Sequence, residues 1–155
     1  MDAENTHQVF ESLWASGQLS ERDIRSLPSR GVEVVINLAL PTSSNALPGE
    51  AELITGQGMV YIQIPVEWEN PKPEQFFQFV NVLNAFTGKK VWVHCAKNMR
   101  VSAFIYLYRK LVLAEPEELA SIPMRTIWSP NEVWQAFIGQ VCTVHTDHLP
   151  QARRS

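Results

Sequence analysis

Three short runs along the chain are almost continuously apolar and rich in β-branched residues: Val32 to Leu38, Met59 to Val66, and Lys90 to His94. A strand covered on both faces reads this way. Between and after them the spacing of apolar positions becomes helical. Phe76, Val80, Leu83 and Phe86 recur three or four apart within Pro73 to Phe86, with Gly88 as a stop. Arg100 to Leu113 is apolar enough to be a central helix. Ser20 with Asp23 reads as a capping box opening a helix to about Ser29, closed by Gly31. Glu50 to Gly56 predicts a short helix. Ser129-Pro130-Asn131-Glu132 combines a capping box with proline at the first helical position and predicts a last helix to about Val144. Ser12 to Ala15 is a candidate short strand before Ser16-Gly17-Gln18, and Pro41 to Gly49 is a loop. Strands alternating with helices predict an α/β sheet that is largely parallel. The domain is expected over residues 9–146, with a flexible N-terminal tail at 1–8 and a C-terminal tail at 147–155.

Composition narrows the partners. The chain has 155 residues, is 45% apolar and carries a net charge of −3. It is long enough for one buried core, and it has no global electrostatic attraction to nucleic acid or to an anionic membrane. An anionic ligand therefore needs a local site. The opening residues MDAENTHQ lack a basic-then-apolar signal, and Val101 to Ala114 is too short and too charged at Arg109-Lys110 to span a bilayer. A cytoplasmic location is expected, with no nucleic acid and no membrane as partner. Two cysteines, Cys95 and Cys142, make no disulfide framework, no Cys or His pair has zinc-ligand spacing, and no metal or cofactor is expected.

The chemistry is concentrated in Val91-Trp92-Val93-His94-Cys95-Ala96-Lys97-Asn98-Met99-Arg100-Val101-Ser102. A buried strand ends at His94, a helix begins near Arg100, and Cys95 opens the short loop between them. Such a loop gathers backbone N–H groups at a helix N-terminus, where the helix dipole adds positive character. A cysteine in that setting loses its proton more readily. The same amides, from Cys95 through Val101, can hold a tetrahedral oxyanion. Arg100 offers a planar fork for it. Ser102 is a candidate donor to the thiolate, and His94 is expected to orient the loop through hydrogen bonds. Cys142, between Val141 and Val144 on a helix, reads as packing. Lys97, Trp68 and Trp128 are candidates for the pocket rim, with core packing as the plain role of the two tryptophans.

His94-Cys95, followed by an arginine and Ser102, resembles the signature loop of cysteine-dependent protein tyrosine and dual-specificity phosphatases. Trp14 to Gln18, Val35 to Leu38 and Ile62 to Val66 are similar to segments of small bacterial members, so the likeness covers roughly residues 13–140. The resemblance implies a single domain of dual-specificity-phosphatase type, with a mostly parallel sheet of four to five strands and helices on both faces. It also implies hydrolysis of a phosphate monoester through a phosphocysteine on Cys95. The family's general acid is usually an aspartate in the loop after the strand matching Met59 to Val66. Here that loop holds Glu67, at the better-matching place, and Glu69.

The loop departs from the family pattern by one residue. Only Ala96, Lys97, Asn98 and Met99 separate Cys95 from Arg100, one fewer than usual. Either the loop is shorter, or the arginine is shifted within a loop of ordinary length. Ser102 keeps its usual distance from Cys95, which places Val101 where the arginine belongs. One helical position is about 100° of rotation, so the direction of Arg100 becomes the question. Four intervening residues is also the spacing of rhodanese-type sulfurtransferases, whose cysteine carries a persulfide. Three activities stay open: phosphatase, sulfurtransferase or persulfide carrier, and a non-catalytic module binding phosphate or a phosphoprotein.

Overall fold

The computed structural model describes residues 1–148. Five strands form one sheet: β1 (His7–Phe10), β2 (Leu13–Ser16), β3 (Val32–Asn37), β4 (Val60–Gln63) and β5 (Lys90–His94), in the spatial order β1-β2-β5-β3-β4. All pairs are parallel except β1 with β2. Six α-helices accompany them: α1 (Glu21–Ser26), α2 (Glu50–Gly56), α3 (Pro73–Ala85), α4 (Met99–Leu107), α5 (Glu117–Ile127) and α6 (Glu132–His148).

The near-continuous apolar runs follow from cover on both sides of the sheet. Val91 and Val93 of β5 join Val34 and Ile36 of β3 in a large core with Phe76, Phe79, Phe104, Trp134 and Phe137 from α3, α4 and α6. Trp92 and Val35 point the other way, into a smaller core with Ile24, Leu27 and Ile54 around α1 and α2. Alternation of side chains along a strand produces this split. Phe104 lies at the centre of the larger core, its ring 5.7 Å from Phe76 and 5.6 Å from both Phe79 and Phe137. β5 is the middle strand. Its last residue, His94, pairs with Ser16 of β2 and Asn37 of β3, so Cys95 leaves the sheet at the carboxyl ends of three parallel strands, where open α/β sheets place their ligand sites.

Several boundaries differ from the sequence reading for identifiable reasons. The expected loose segment at 1–8 is tied down. The Asp2 and Ala3 amides donate to the Asp23 carboxylate at 2.8 and 3.0 Å, the Gly17 amide donates to Glu4 O at 2.8 Å, and β1 begins at His7. Its polar sequence reflects bonds to backbone rather than burial of apolar area. The helix of Arg100 to Leu113 is regular to Leu107 and then widens into a π-type turn over Tyr108–Val112. α5 carries Pro123 in its interior, and that proline masked it in the sequence. The last helix is capped by Asn131, whose Oδ1 accepts from the Trp134 amide at 3.0 Å, so Pro130 precedes the cap instead of following it. The C-terminal tail expected at 147–155 lies outside the described residues beyond His148.

Candidate active site

The loop from β5 to α4 is only Cys95 to Asn98. Cys95 is 1% exposed and sits at its start. Asn98 takes the left-handed conformation, φ 68°, just before α4, where glycine is the usual choice and asparagine the best substitute. The loop is held from outside by its carbonyls. Ala96 O accepts from the Gln18 amide at 3.0 Å and from Asn45 Nδ2 at 3.1 Å. Lys97 O accepts from Asn5 Nδ2 at 2.9 Å, and Asn98 Nδ2 donates to Asn5 O at 2.7 Å. These bonds fix the peptide planes after the cysteine. Gly17 permits the approach: a Cβ there would lie 2.8 Å from Ala96 O and 3.1 Å from the Lys97 Cα. Asn5, Gln18 and Asn45 were not foreseen as site residues. Their sequence signal is slight, because each acts through a polar bond to loop backbone far away in the chain.

His94 is fully buried. Its Nδ1 lies 3.3 Å from Cys95 O, and its Nε2 lies 2.7 Å from the Glu50 carboxylate. Burial pushes the Glu50 carboxyl up, but hydrogen bonds from His94, Gln18 and Tyr61 and the His94 charge outweigh that and hold it below the usual glutamate value. Burial first, with the Glu50 and Glu52 charges, pushes the Tyr61 phenol up to about 12.

A cleft of about 470 Å³ opens above Cys95, lined by Ala96, Lys97, Met99 and Arg100 on one side and by Ser44, Asn45 and Trp68 on the other. Arg100 is 7% exposed, and its Nη1 donates to Val66 O at 2.9 Å. It therefore sits on the cleft wall and also ties down the loop after β4. Val101, counted with the anion loop in the sequence, is fully buried in the larger core and does not line the cleft. Starting α4 at Met99 turns Arg100 to the cleft and Val101 inward. Ser102 donates to Met99 O at 2.7 Å and accepts from Trp128 Nε1 at 3.0 Å, so its hydroxyl is engaged away from Cys95. Trp68 reaches the cleft while packing on Trp128 and Trp134 with centroids 5.2 and 5.7 Å away, and Trp134 Nε1 donates to Trp68 O at 2.9 Å. Glu67 and Glu69 are both exposed and neither lines the cleft. Among the described residues no cluster of metal-ligating side chains occurs, and no helix is long and apolar enough to cross a membrane.

A cysteine between the end of a central parallel strand and a helix N-terminus, with an arginine on the cleft wall, defines the class of cysteine phosphatase folds. Over residues 1–130 the chain matches the family described as DSP-PTPase phosphatase fused to NAD+ kinase, and it belongs to that family. It is similar to the crystal structure of a DUF442 protein, a candidate phosphatase, from Shewanella putrefaciens CN-32. Identity there is 36%, TM-score 0.81, and the match covers 92% of this chain and 93% of that one. More distant folds include TpbA of P. aeruginosa, as a cysteine-to-serine variant in complex with pTyr (14% identity, TM-score 0.69, 91% and 90% covered). The core catalytic domain of the PP-IP phosphatase SIW14 from S. cerevisiae, with citrate, shares 15% identity at TM-score 0.74, with 99% of both chains covered. Comparison with curated proteins gives no match.

Proposed function

We propose that the protein hydrolyses a phosphate monoester with Cys95 as nucleophile. The observation that carries this reading is the shared cleft. Cys95 lies at the start of the loop before α4, and Arg100 lines the same space. A phosphoryl group seated there meets the positive end of α4 and a guanidinium, and both stabilise charge that develops on its oxygens. The thiolate attacks phosphorus, the P–O bond to the leaving group breaks, and a phosphocysteine forms. A water molecule then attacks phosphorus, the S–P bond breaks, and inorganic phosphate leaves with the thiolate restored. Glu67 is the candidate donor of the proton taken by the leaving oxygen. It adjoins Val66, whose carbonyl is tied to Arg100.

The test is turnover of p-nitrophenyl phosphate by freshly reduced protein from pH 5 to 8, with Cys95→Ser as control. Turnover by the wild type alone is expected. No turnover by either would overturn the reading.

The four-residue spacing between Cys95 and Arg100 supports a second reading, a persulfide carrier or sulfurtransferase. Treatment with thiosulfate or polysulfide followed by mass spectrometry would show one added sulfur on Cys95 in that case. Calorimetric binding of phosphate or a phosphopeptide, without turnover or sulfur uptake, would define a binding module.

A further inference from the structure

Glu50 is the first residue of α2 and is 6% exposed, yet the chemistry proposed above does not use it. Its carboxylate is surrounded by donors: Gln18 Nε2 at 2.5 Å, His94 Nε2 at 2.7 Å and Asn37 Nδ2 at 3.5 Å. An ionised carboxylate only accepts, so this set of donors matches the charged form. His94 has the complementary surroundings. One ring nitrogen faces the Glu50 carboxylate and the other faces Cys95 O at 3.3 Å. Both partners are acceptors. A neutral imidazole has one N–H and satisfies only one of them, whereas the doubly protonated ring satisfies both. Leaving a buried acceptor facing a lone pair is costly.

We propose that Glu50 is a positioning residue: its carboxylate holds His94 doubly protonated, which fixes a buried positive charge beneath the Cys95 loop and favours the Cys95 thiolate. The functional consequence rests on Cys95 being the nucleophile; the pairing itself does not. Among the described residues, other charged or titratable groups near the pair are few. Tyr61 of β4, pushed up to about 12, stays neutral through the range of interest, and Glu52 of α2 acts on Tyr61. Lys97 and Arg100, on the cleft above, are common to every variant compared. A separate cleft of about 230 Å³, lined in part by Pro41, Tyr61 and Gln63, reaches Glu50 and lets the pair exchange protons with solvent.

The experiment is iodoacetamide alkylation of Cys95 from pH 5 to 9, read by mass spectrometry in a Cys142→Ser background, because Cys142 is a second free thiol. Glu50→Gln is expected to slow alkylation at pH 6 by about tenfold while matching the parent at pH 9. A purely structural role would not shift the profile in this way. A folded Glu50→Gln protein that alkylates like the parent at pH 6 overturns the proposal. Should Glu50→Gln fail to fold, ¹⁵N NMR of the His94 ring in the wild type decides: two protonated nitrogens at pH 7 are expected, and a neutral ring overturns it. The outcomes separate the two readings. A wild type inert toward p-nitrophenyl phosphate but with a cationic His94 ring removes the phosphatase reading alone. An active wild type with a neutral ring removes this assignment alone.

Discussion

On the Cys95 side of the cleft, four successive carbonyls have a partner. His94 O accepts from the Leu38 amide at 2.8 Å, Cys95 O faces the His94 ring, Ala96 O is held by Gln18 and Asn45, and Lys97 O by Asn5. Across the cleft, the segment from Glu67 to Asn70 is tied by Trp68 O to Trp134 and by its own turn, Asn70 N to Glu67 O, while Glu67 projects to solvent. The half that would hold the anion is fixed before any ligand arrives. On the other half the backbone is tied as well, but the Glu67 side chain stands in solvent. Fixed dipoles act on a developing charge without reorganisation, so the difference predicts where substitutions will be felt most.

Cys95→Ser tests the rigid side at its centre and carries the largest effect. Turnover of p-nitrophenyl phosphate is expected to fall at least about 1000-fold, because the covalent route is lost while the loop remains. Circular dichroism and the melting temperature should be close to wild type. Arg100→Lys comes next. A lysine supplies charge without the planar fork, and kcat/KM is expected to drop about 100-fold. It also leaves Val66 O, now bonded to Arg100 at 2.9 Å in a buried position, without that partner. A loss of about 1–3 kcal/mol in stability should accompany it in urea unfolding.

Gly17→Ala probes the buttress without touching a reacting group. Its Cβ would stand 2.8 Å from Ala96 O, 3.1 Å from the Lys97 Cα and 3.2 Å from Glu4 O, all backbone atoms that cannot rotate aside. The N-terminal segment and the loop must move apart. The expected cost is about 1–3 kcal/mol, with kcat/KM lower by roughly tenfold as the loop shifts. Unchanged stability and turnover would show that the loop holds its shape without Gly17.

How much of this was legible in the sequence follows from the range of each interaction. β3 and β5 were readable because burial on both faces leaves a continuous apolar run, and α1, α2, α3, α4 and α6 through their caps and apolar spacing, whereas α5, with Pro123 inside it, was not. Cys95, His94 and Arg100 were readable because a strand end, a short loop and a helix start follow one another in the chain. Glu50 was not. An acid in the first turn of a helix is an ordinary choice for the helix dipole, and nothing nearby in sequence marks it as the partner of His94, 44 residues away. Ser102 shows the opposite failure. Its spacing from Cys95 fits the family, but Trp128, 26 residues on, and Met99 O occupy its hydroxyl. Residues 1–8 were read as a loose tail because their contacts are polar and distant, through Asp23, Gly17 and Lys97.

Glu67→Gln sharpens the comparison from the solvent-facing side and carries the smallest effect. The residue is exposed and does not line the cleft, so any proton it gives is delivered from a position the fold does not fix. General acids held in place contribute about 10²–10⁴-fold, and a donor without that placement gives less. The leaving group sets how much is felt. p-Nitrophenolate departs with little help, so its turnover should change by less than about threefold, while an alkyl phosphate, whose alkoxide needs the proton, should slow by about tenfold. Parallel kcat/KM measurements on the two substrates check this. Equal losses above about 100-fold on both would mean that Glu67 is held against the substrate as firmly as Cys95, and the contrast between the two walls would not hold.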